Sequence, residues 1–128
     1  MVDAEETTRR KGHYFGTEIN EKWWKRYRKD KMFARGTGEY WYDTDALFFR
    51  RYLTDDPMII RFGDVKEIKT GKWHAGQWAG GRQIIKMIWR KEGLTLSSGF
   101  LLSRSRSETE RIKRELTDNI NKAASGPM

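Results

Sequence analysis

The amino-acid sequence predicts a mainly β domain, an antiparallel sandwich or small barrel covered by a C-terminal helix and preceded by an N-terminal amphipathic helix. Two changes of hydrophobic period carry this prediction. Between residues 36 and 103 the apolar residues follow a period of two, interrupted by turn residues at hairpin spacing. After residue 103 the period becomes helical. A chain of 128 residues is long enough to form one such domain with a substantial core.

The N-terminal part is interpreted as a tail followed by a helix. Residues 1–12 are polar and are expected to form a disordered tail. The segment 13–35 is assigned to an amphipathic basic helix, helical over about residues 17–30, with Thr17 as the N-cap. Its aromatic side would contain Ile19, Trp23, Trp24 and Tyr27, and its basic side Lys22, Lys25, Arg26 and Lys29. The aromatic side is expected to dock on the domain, which leaves the basic side exposed; an interfacial helix or a partner groove is the alternative.

Short polar turns divide the central part of the chain into at least five strands. Asp43, Thr44 and Asp45 interrupt the run "GEYWYDTDALFFRRYL" and predict two paired strands around a tight turn. The stretch "TDDP" marks another turn before the strand "MIIRF", and "KEG" separates the last two strands. No helical period intervenes between these strands, which favours an antiparallel arrangement.

A helix is predicted near the C-terminus. Ser107 and Glu110 have the spacing of a capping box. The apolar stripe that follows contains Ile112, Leu116, Ile120 and Ala123. A stripe at this spacing is typical of a helix that covers a sheet, and residues 123–128 are assigned to a flexible tail after it.

Four segments together resemble the pleckstrin-homology-like (PH-like) superfold, and in detail its GRAM and bacterial PH branches. They are "YWYDTDALFFRR", "IIRFGDVKEI", "IIKMIWRKEGLTLSSGFLLS" and "SETERIKREL". The resemblance covers roughly residues 36–120, and the PH-like domain is assigned to residues 36–122. It implies about seven strands in two packed sheets, with the C-terminal helix filling the open corner through Ile112, Leu116 and Ile120. It also implies a binding domain without catalytic activity.

The resemblance also bears on phosphoinositides. PH domains that bind these lipids carry lysines and arginines in the loop between their first two strands, where the cations pair with phosphates. This chain has Asp43, Thr44 and Asp45 at that position. Carboxylates repel phosphate, so headgroup binding is not expected at that turn.

The charge distribution points to an anionic partner. The net charge is +8, from 26 basic and 18 acidic residues. Residues 9–35 contain ten lysines or arginines and three acidic residues, a balance of +7, whereas residues 39–67 contain seven acidic and four basic residues. Such asymmetry favours association with a membrane surface, a nucleic acid or an acidic protein.

The sequence gives little support for catalysis. It has two histidines, His13 and His74, and no recognised catalytic or phosphate-cradling motif. Adjacent aspartates next to threonine or proline are typical turn formers. The chain has no cysteine, which excludes disulfides and thiolate metal sites. We therefore expect no enzyme activity, no cofactor and no metal, and a cytoplasmic location that can include the membrane periphery.

The segment 69–82 has two interpretations. It contains Trp73, His74 and Trp78 between Lys69, Lys72 and Arg82, and it is rich in glycine. As an exposed loop, it would enter a membrane interface or stack on bases. Alternatively, the strands extend further and the tryptophans pack on the sheet or on the N-terminal helix. The sequence favours the second interpretation.

Together these patterns predict a non-catalytic adaptor domain that binds a protein partner or an anionic membrane surface. A small β-barrel that binds nucleic acid is the alternative, and self-association through sheet edges or the N-terminal segment is left open. The candidate binding surface consists of Lys22, Lys25, Arg26, Lys29, Lys72, Trp73, His74, Trp78 and Arg82.

Overall fold

The computed structural model describes residues 8–27 and 34–125. Over these residues the chain forms ten strands and one α-helix. The strands are β1 (Arg10–Ile19), β2 (Lys22–Arg26), β3 (Gly36–Tyr42), β4 (Ala46–Arg51), β5 (Met58–Arg61), β6 (Val65–Gly71), β7 (Trp73–His74), β8 (Gln77–Trp78), β9 (Ile84–Lys91) and β10 (Leu94–Leu101). A 3₁₀ turn (Phe62–Asp64) precedes β6, and the helix α1 spans Arg106–Ser125. The prediction of a mainly β chain with a C-terminal helix is confirmed.

The large sheet is antiparallel throughout, with the strand order β5, β4, β3, β1, β10, β9 and β6. Strand β1 lies at its centre and pairs with β10 along one edge. Its other edge is shared, because the first half pairs with β3 and the end pairs with β2. A register shift between Tyr14 and Gly16 allows this change of partner, and Gly16 has a φ of 109°, which favours glycine. Strands β7 and β8 form a separate hairpin.

The predicted N-terminal amphipathic helix is wrong. Residues 10–26 form β1 and β2 instead, joined by a tight turn in which Asn20 and Glu21 have φ values of 55° and 57°. Positive φ at both central residues is the geometry of a type I′ hairpin turn. Thr17, the expected N-cap, is buried and its hydroxyl contacts Ser98 Oγ at 2.6 Å. Pairing with β10, far along the chain, overrides the local helical pattern.

The boundaries of the two predicted terminal segments also shift. Residues 10–12, expected in the tail, begin β1 and pair with β3. At the other end, α1 continues to Ser125, three residues beyond the predicted end of the domain at residue 122. Lys29, placed on the basic side of the N-terminal helix, lies outside the described residues.

The turn at Asp43 forms as predicted. Its Oδ1 atom accepts hydrogen bonds from the backbone N–H groups of Asp45 at 2.7 Å and of Ala46 at 2.9 Å. The carboxylate therefore stabilises the turn by replacing backbone acceptors. The turn joins β3 to β4, however, and β1 precedes both strands. It is thus not the connection that follows the first strand of the chain.

Helix α1 packs on the sheet through the predicted stripe. Ile112, Leu116 and Ile120 are buried in the main core, and α1 contacts the 3₁₀ turn and β6. Its cap lies two residues before the predicted one: Ser105 Oγ accepts the backbone N–H of Glu108 at 3.2 Å. The same serine-x-x-glutamate spacing occurs at both positions, so the sequence pattern could not separate them.

Candidate functional site: an exposed tryptophan surface

Four of the six tryptophans are exposed. Trp23 and Trp24 in β2 have 62% and 61% of their surface exposed, and Trp73 and Trp78 in the small hairpin have 59% and 58%. We call these four residues the tryptophan surface. The interpretation favoured by the sequence, in which Trp73 and Trp78 pack on the sheet, is wrong. Large exposed aromatic groups are uncommon on a monomer and indicate a surface that meets another phase or molecule.

In each of the two segments the two rings contact each other. Trp73 and Trp78 are opposite each other across β7 and β8, and their rings stack with centroids 6.2 Å apart. Trp23 and Trp24 meet edge to face, with centroids 5.7 Å apart. These contacts restrict the rings before any ligand binds, which lowers the entropic cost of binding.

The two tryptophan pairs lie next to each other because the hairpin turn contacts β2. A Cβ atom at Gly76, in the β7–β8 turn, would lie 3.5 Å from Trp23 Cε3. Gly76 also has a φ of 84°, so both the turn and the close approach favour glycine here. The hairpin turn between Trp73 and Trp78 thus lies against Trp23, although the two segments are about fifty residues apart in sequence.

Basic side chains surround this surface. Lys22 and Lys25 flank the two adjacent tryptophans in the sequence "KWWKR" and are exposed, as is Lys72 next to Trp73. Lys69 is partly neutralised, because its Nζ atom donates to Glu21 Oε1 at 2.8 Å. That hydrogen bond raises the pKa of Lys69, so this side chain remains a cation at neutral pH. The surface therefore combines apolar rings with positive charge.

His74 is buried and does not belong to the exposed surface. Its Nε2 atom donates to the carbonyl oxygen of Gly16 at 3.0 Å, and its ring lies directly against Gly99. Glu18, also buried, accepts the backbone N–H of Ala75 at 2.7 Å. Arg35 donates to the carbonyl oxygen of Ala75 from the other side. These contacts fasten the hairpin to β1 and β10, so that Trp73 and Trp78 project from a fixed base.

Burial lowers the pKa of His74 below its ordinary value of 6.5, with the charge of Lys86 acting in the same direction and that of Glu18 opposing both. The folded state therefore binds this proton more weakly than the unfolded state. Stability that depends on neutral His74 is fully present above about pH 6.5 and declines as the pH falls below that value.

We expect the urea midpoint of the protein to fall between pH 7.5 and pH 5, and His74→Gln to flatten this dependence. The limit for one proton is about 1.4 kcal/mol per pH unit. His13→Gln is the comparison: burial and Arg35 lower the pKa of His13 as well, but His13 is only half-buried, so its replacement should flatten the dependence less. An unchanged slope in the His74 variant would contradict the assignment of this pH dependence to the buried ring.

The other candidate residues lie at the border of the surface or beyond it. Arg82 and Trp78 line a cavity of about 910 Å³ beside β1 and β10. Lys72 and Arg82 also line a smaller cavity of about 180 Å³ near the start of α1. Arg26 is half-buried at the end of β2. Arg82 thus shares one cavity with Trp78 and another with Lys72, whereas His74 is buried.

Sequence reasoning missed the contribution of Trp23 and Trp24 to this surface. The available signal was the run "KWWKR", in which apolar and polar residues do not alternate. In the structure every side chain from Lys22 to Lys25 is exposed. A docked helix or a strand in a core would bury one side of such a run, and this run has no apolar alternation.

Comparison with protein-family models and with curated proteins finds no match for this chain. Within residues 8–27 and 34–125, no cluster of three histidine or carboxylate side chains is arranged to hold a metal ion. The helix in the described part of the chain is too polar to cross a membrane.

Proposed function

We propose that this protein is a non-catalytic PH-like interaction domain that binds an anionic membrane surface through the tryptophan surface and the lysines around it. The observation that carries the proposal is the exposure of Trp23, Trp24, Trp73 and Trp78, with Trp23 against the turn of the hairpin that holds Trp73 and Trp78. Tryptophan is enriched at membrane interfaces because its ring is apolar and its N–H group still reaches polar partners. Neighbouring lysines add attraction to anionic lipids.

The order of the strands supports the PH-like assignment. Seven strands follow the path of two meanders joined at β1, and α1 packs beside β6, at one end of that path. In a PH-like domain the central first strand is shared by two sheets and the helix covers the gap between their ends. The bulge at Gly16 is where β1 changes partner, which is consistent with a strand that bends from one sheet into the other.

Because β1 is the first strand of this path, the loop between the first two strands is the connection from β1 to β3. The connection from β1 to β3 covers residues 20–35 and includes β2, with Lys22, Lys25 and Arg26. The acidic turn at Asp43 belongs to the next connection. A basic and aromatic segment in this loop supports the binding of anions. The acidic turn, which would repel anions, lies elsewhere.

Co-sedimentation with lipid vesicles tests the proposal. We expect the full chain to bind vesicles that contain phosphatidylglycerol, and to bind phosphatidylcholine vesicles much more weakly at low salt. Binding to the anionic vesicles should weaken as the salt concentration rises, because screening acts on exposed charges. A blue shift of tryptophan fluorescence should accompany binding.

Other partners give different results in the same series. Absence of binding to anionic vesicles at low salt would overturn the membrane proposal. If single-stranded oligonucleotides then bound with strong salt dependence, the nucleic-acid alternative would replace it. If vesicle binding depended neither on lipid charge nor on salt concentration, the lysines would not contribute to it as proposed.

A further inference from the structure

A cavity of about 530 Å³ lies between the start of β2 and the small hairpin. Exposed Trp23 and Trp73 are among its lining residues, together with Lys69 and Lys86. Glu18, His74 and Ser97 also line it, and these residues are at most 5% exposed. The cavity thus combines aromatic groups at the surface with polar groups in the interior, the combination typical of small-molecule sites.

Two buried polar atoms of this cavity lack a hydrogen-bond partner. Among the residues that the structure describes, neither His74 Nδ1 nor Ser97 Oγ is paired. Buried polar atoms are rarely left in this state, because an unmade hydrogen bond costs the desolvation of the group. These atoms lie in separate strands, β7 and β10, yet both belong to residues lining the same cavity. A bound group that supplies hydrogen bonds would satisfy them.

The missing partner should be a donor. His74 Nε2 is bonded to a carbonyl oxygen and must therefore carry the hydrogen. In the neutral ring the Nδ1 atom is then an acceptor. The Nδ1 atom lies 3.6 Å from Glu18 Oε2, which is too far for a hydrogen bond. Glu18 Oε2 is also an acceptor, so neither atom can donate to the other. A positively charged N–H donor satisfies two such acceptors better than a neutral group does.

The cavity also contains positive charge. Lys86 has its Nζ atom near Gly71, since a Cβ atom there would lie 3.2 Å from it. Lys69 forms an ion pair with Glu21. Glu18 and Glu21 carry as many formal charges as the two lysines, so the lining is neutral in sum but divided by sign. Such a lining favours a zwitterion, with the ammonium between the carboxylate and the indole rings and the anionic group at the lysines.

We propose that this cavity binds a phosphoethanolamine group, with its primary ammonium toward Glu18 and His74 and its phosphate toward Lys69 and Lys86. The group occurs free and as a lipid headgroup. If the bound group is the lipid headgroup, this inference deepens the proposed membrane function and rests on it. A quaternary ammonium fits less well, because it has no N–H to donate to the two acceptors.

Titration calorimetry with the full chain tests this inference. We expect O-phosphoethanolamine to bind saturably, and ethyl phosphate, which lacks the amine, to bind at least about tenfold more weakly. Glu18→Gln should weaken binding of O-phosphoethanolamine on the order of tenfold. Glu110→Gln, in α1 and outside the cavity lining, is the matched control and should change nothing. The comparison of the two ligands needs no variant, so it stands even if Glu18→Gln disturbs the buried site.

No saturable binding, or equal affinity for the two ligands, would overturn the proposal. Vesicles identify the source of the group. Tighter binding to phosphatidylglycerol vesicles supplemented with phosphatidylethanolamine than to those supplemented with phosphatidylcholine supports the lipid headgroup; equal binding together with saturable O-phosphoethanolamine binding supports the free molecule. Vesicle binding that persists without any phosphoethanolamine binding would overturn this inference alone and leave the proposed membrane function standing.

Discussion

Replacing both Trp73 and Trp78 with alanine should lower the partition of the protein onto phosphatidylglycerol vesicles by at least about tenfold for each ring. The two rings are 59% and 58% exposed in the free protein. Moving an aromatic side chain out of water contributes roughly 1.5–3 kcal/mol, and about 1.4 kcal/mol corresponds to a factor of ten. Vesicle co-sedimentation at fixed lipid concentration measures the change.

The hairpin should keep its position in this variant, because His74, Glu18 and Arg35 hold it from below. Far-ultraviolet circular dichroism checks that the sheet is intact. Ile59→Ala is the control: Ile59 is also exposed, at 40%, but it lies in the edge strand β5, away from the tryptophan surface. Equal partition of the double variant and the unaltered protein would contradict the proposed role of the hairpin.

Replacing Leu116 with alanine should lower the free energy of unfolding by about 2–5 kcal/mol. Leu116 is fully buried in the main core, where α1 meets the 3₁₀ turn and β6. The loss combines the transfer of the removed methyl groups to water with the cavity left behind. The free energy of unfolding of a small domain is only about 5–15 kcal/mol, so the variant should unfold at a much lower urea concentration.

Arg114→Ala provides the control for this experiment. Arg114 is exposed in the same helix, and its removal should change stability by no more than about 0.5 kcal/mol. Circular dichroism at about 222 nm, which reports on the helix, follows the urea unfolding of both variants. A loss below about 1 kcal/mol in the leucine variant would mean that the helix is not part of the cooperative core.

Those parts of the fold that depend on short-range patterns could be predicted. The turn at Asp43 is one example, because its carboxylate bonds to backbone groups two and three residues away. The stripe of Ile112, Leu116 and Ile120 is another, because helical spacing places these residues on one side regardless of what they cover. In both cases the decisive interactions lie within a few residues.

The N-terminal segment shows why the rest could not be predicted. The spacing of Ile19, Trp23 and Tyr27 satisfies a helical period, and the sequence contains no proline or glycine between them to oppose it. What decides the structure is the pairing of Thr17 and Glu18 with Ser98 and Ser97, about eighty residues away. Intrinsic helix propensity is worth less than the burial and hydrogen bonds gained in that pairing.

By itself, the sequence determined that this chain is mainly β, that a helix ends it, and that its N-terminal part is strongly basic, because composition and local periodicity require no partner. Only the tertiary structure decided that Trp23 and Trp73 are neighbours at the surface while His74, next to Trp73, is buried. Exposure depends on which distant strands cover a residue. The order of the strands around β1 therefore decides where the tryptophan surface and its cavity form.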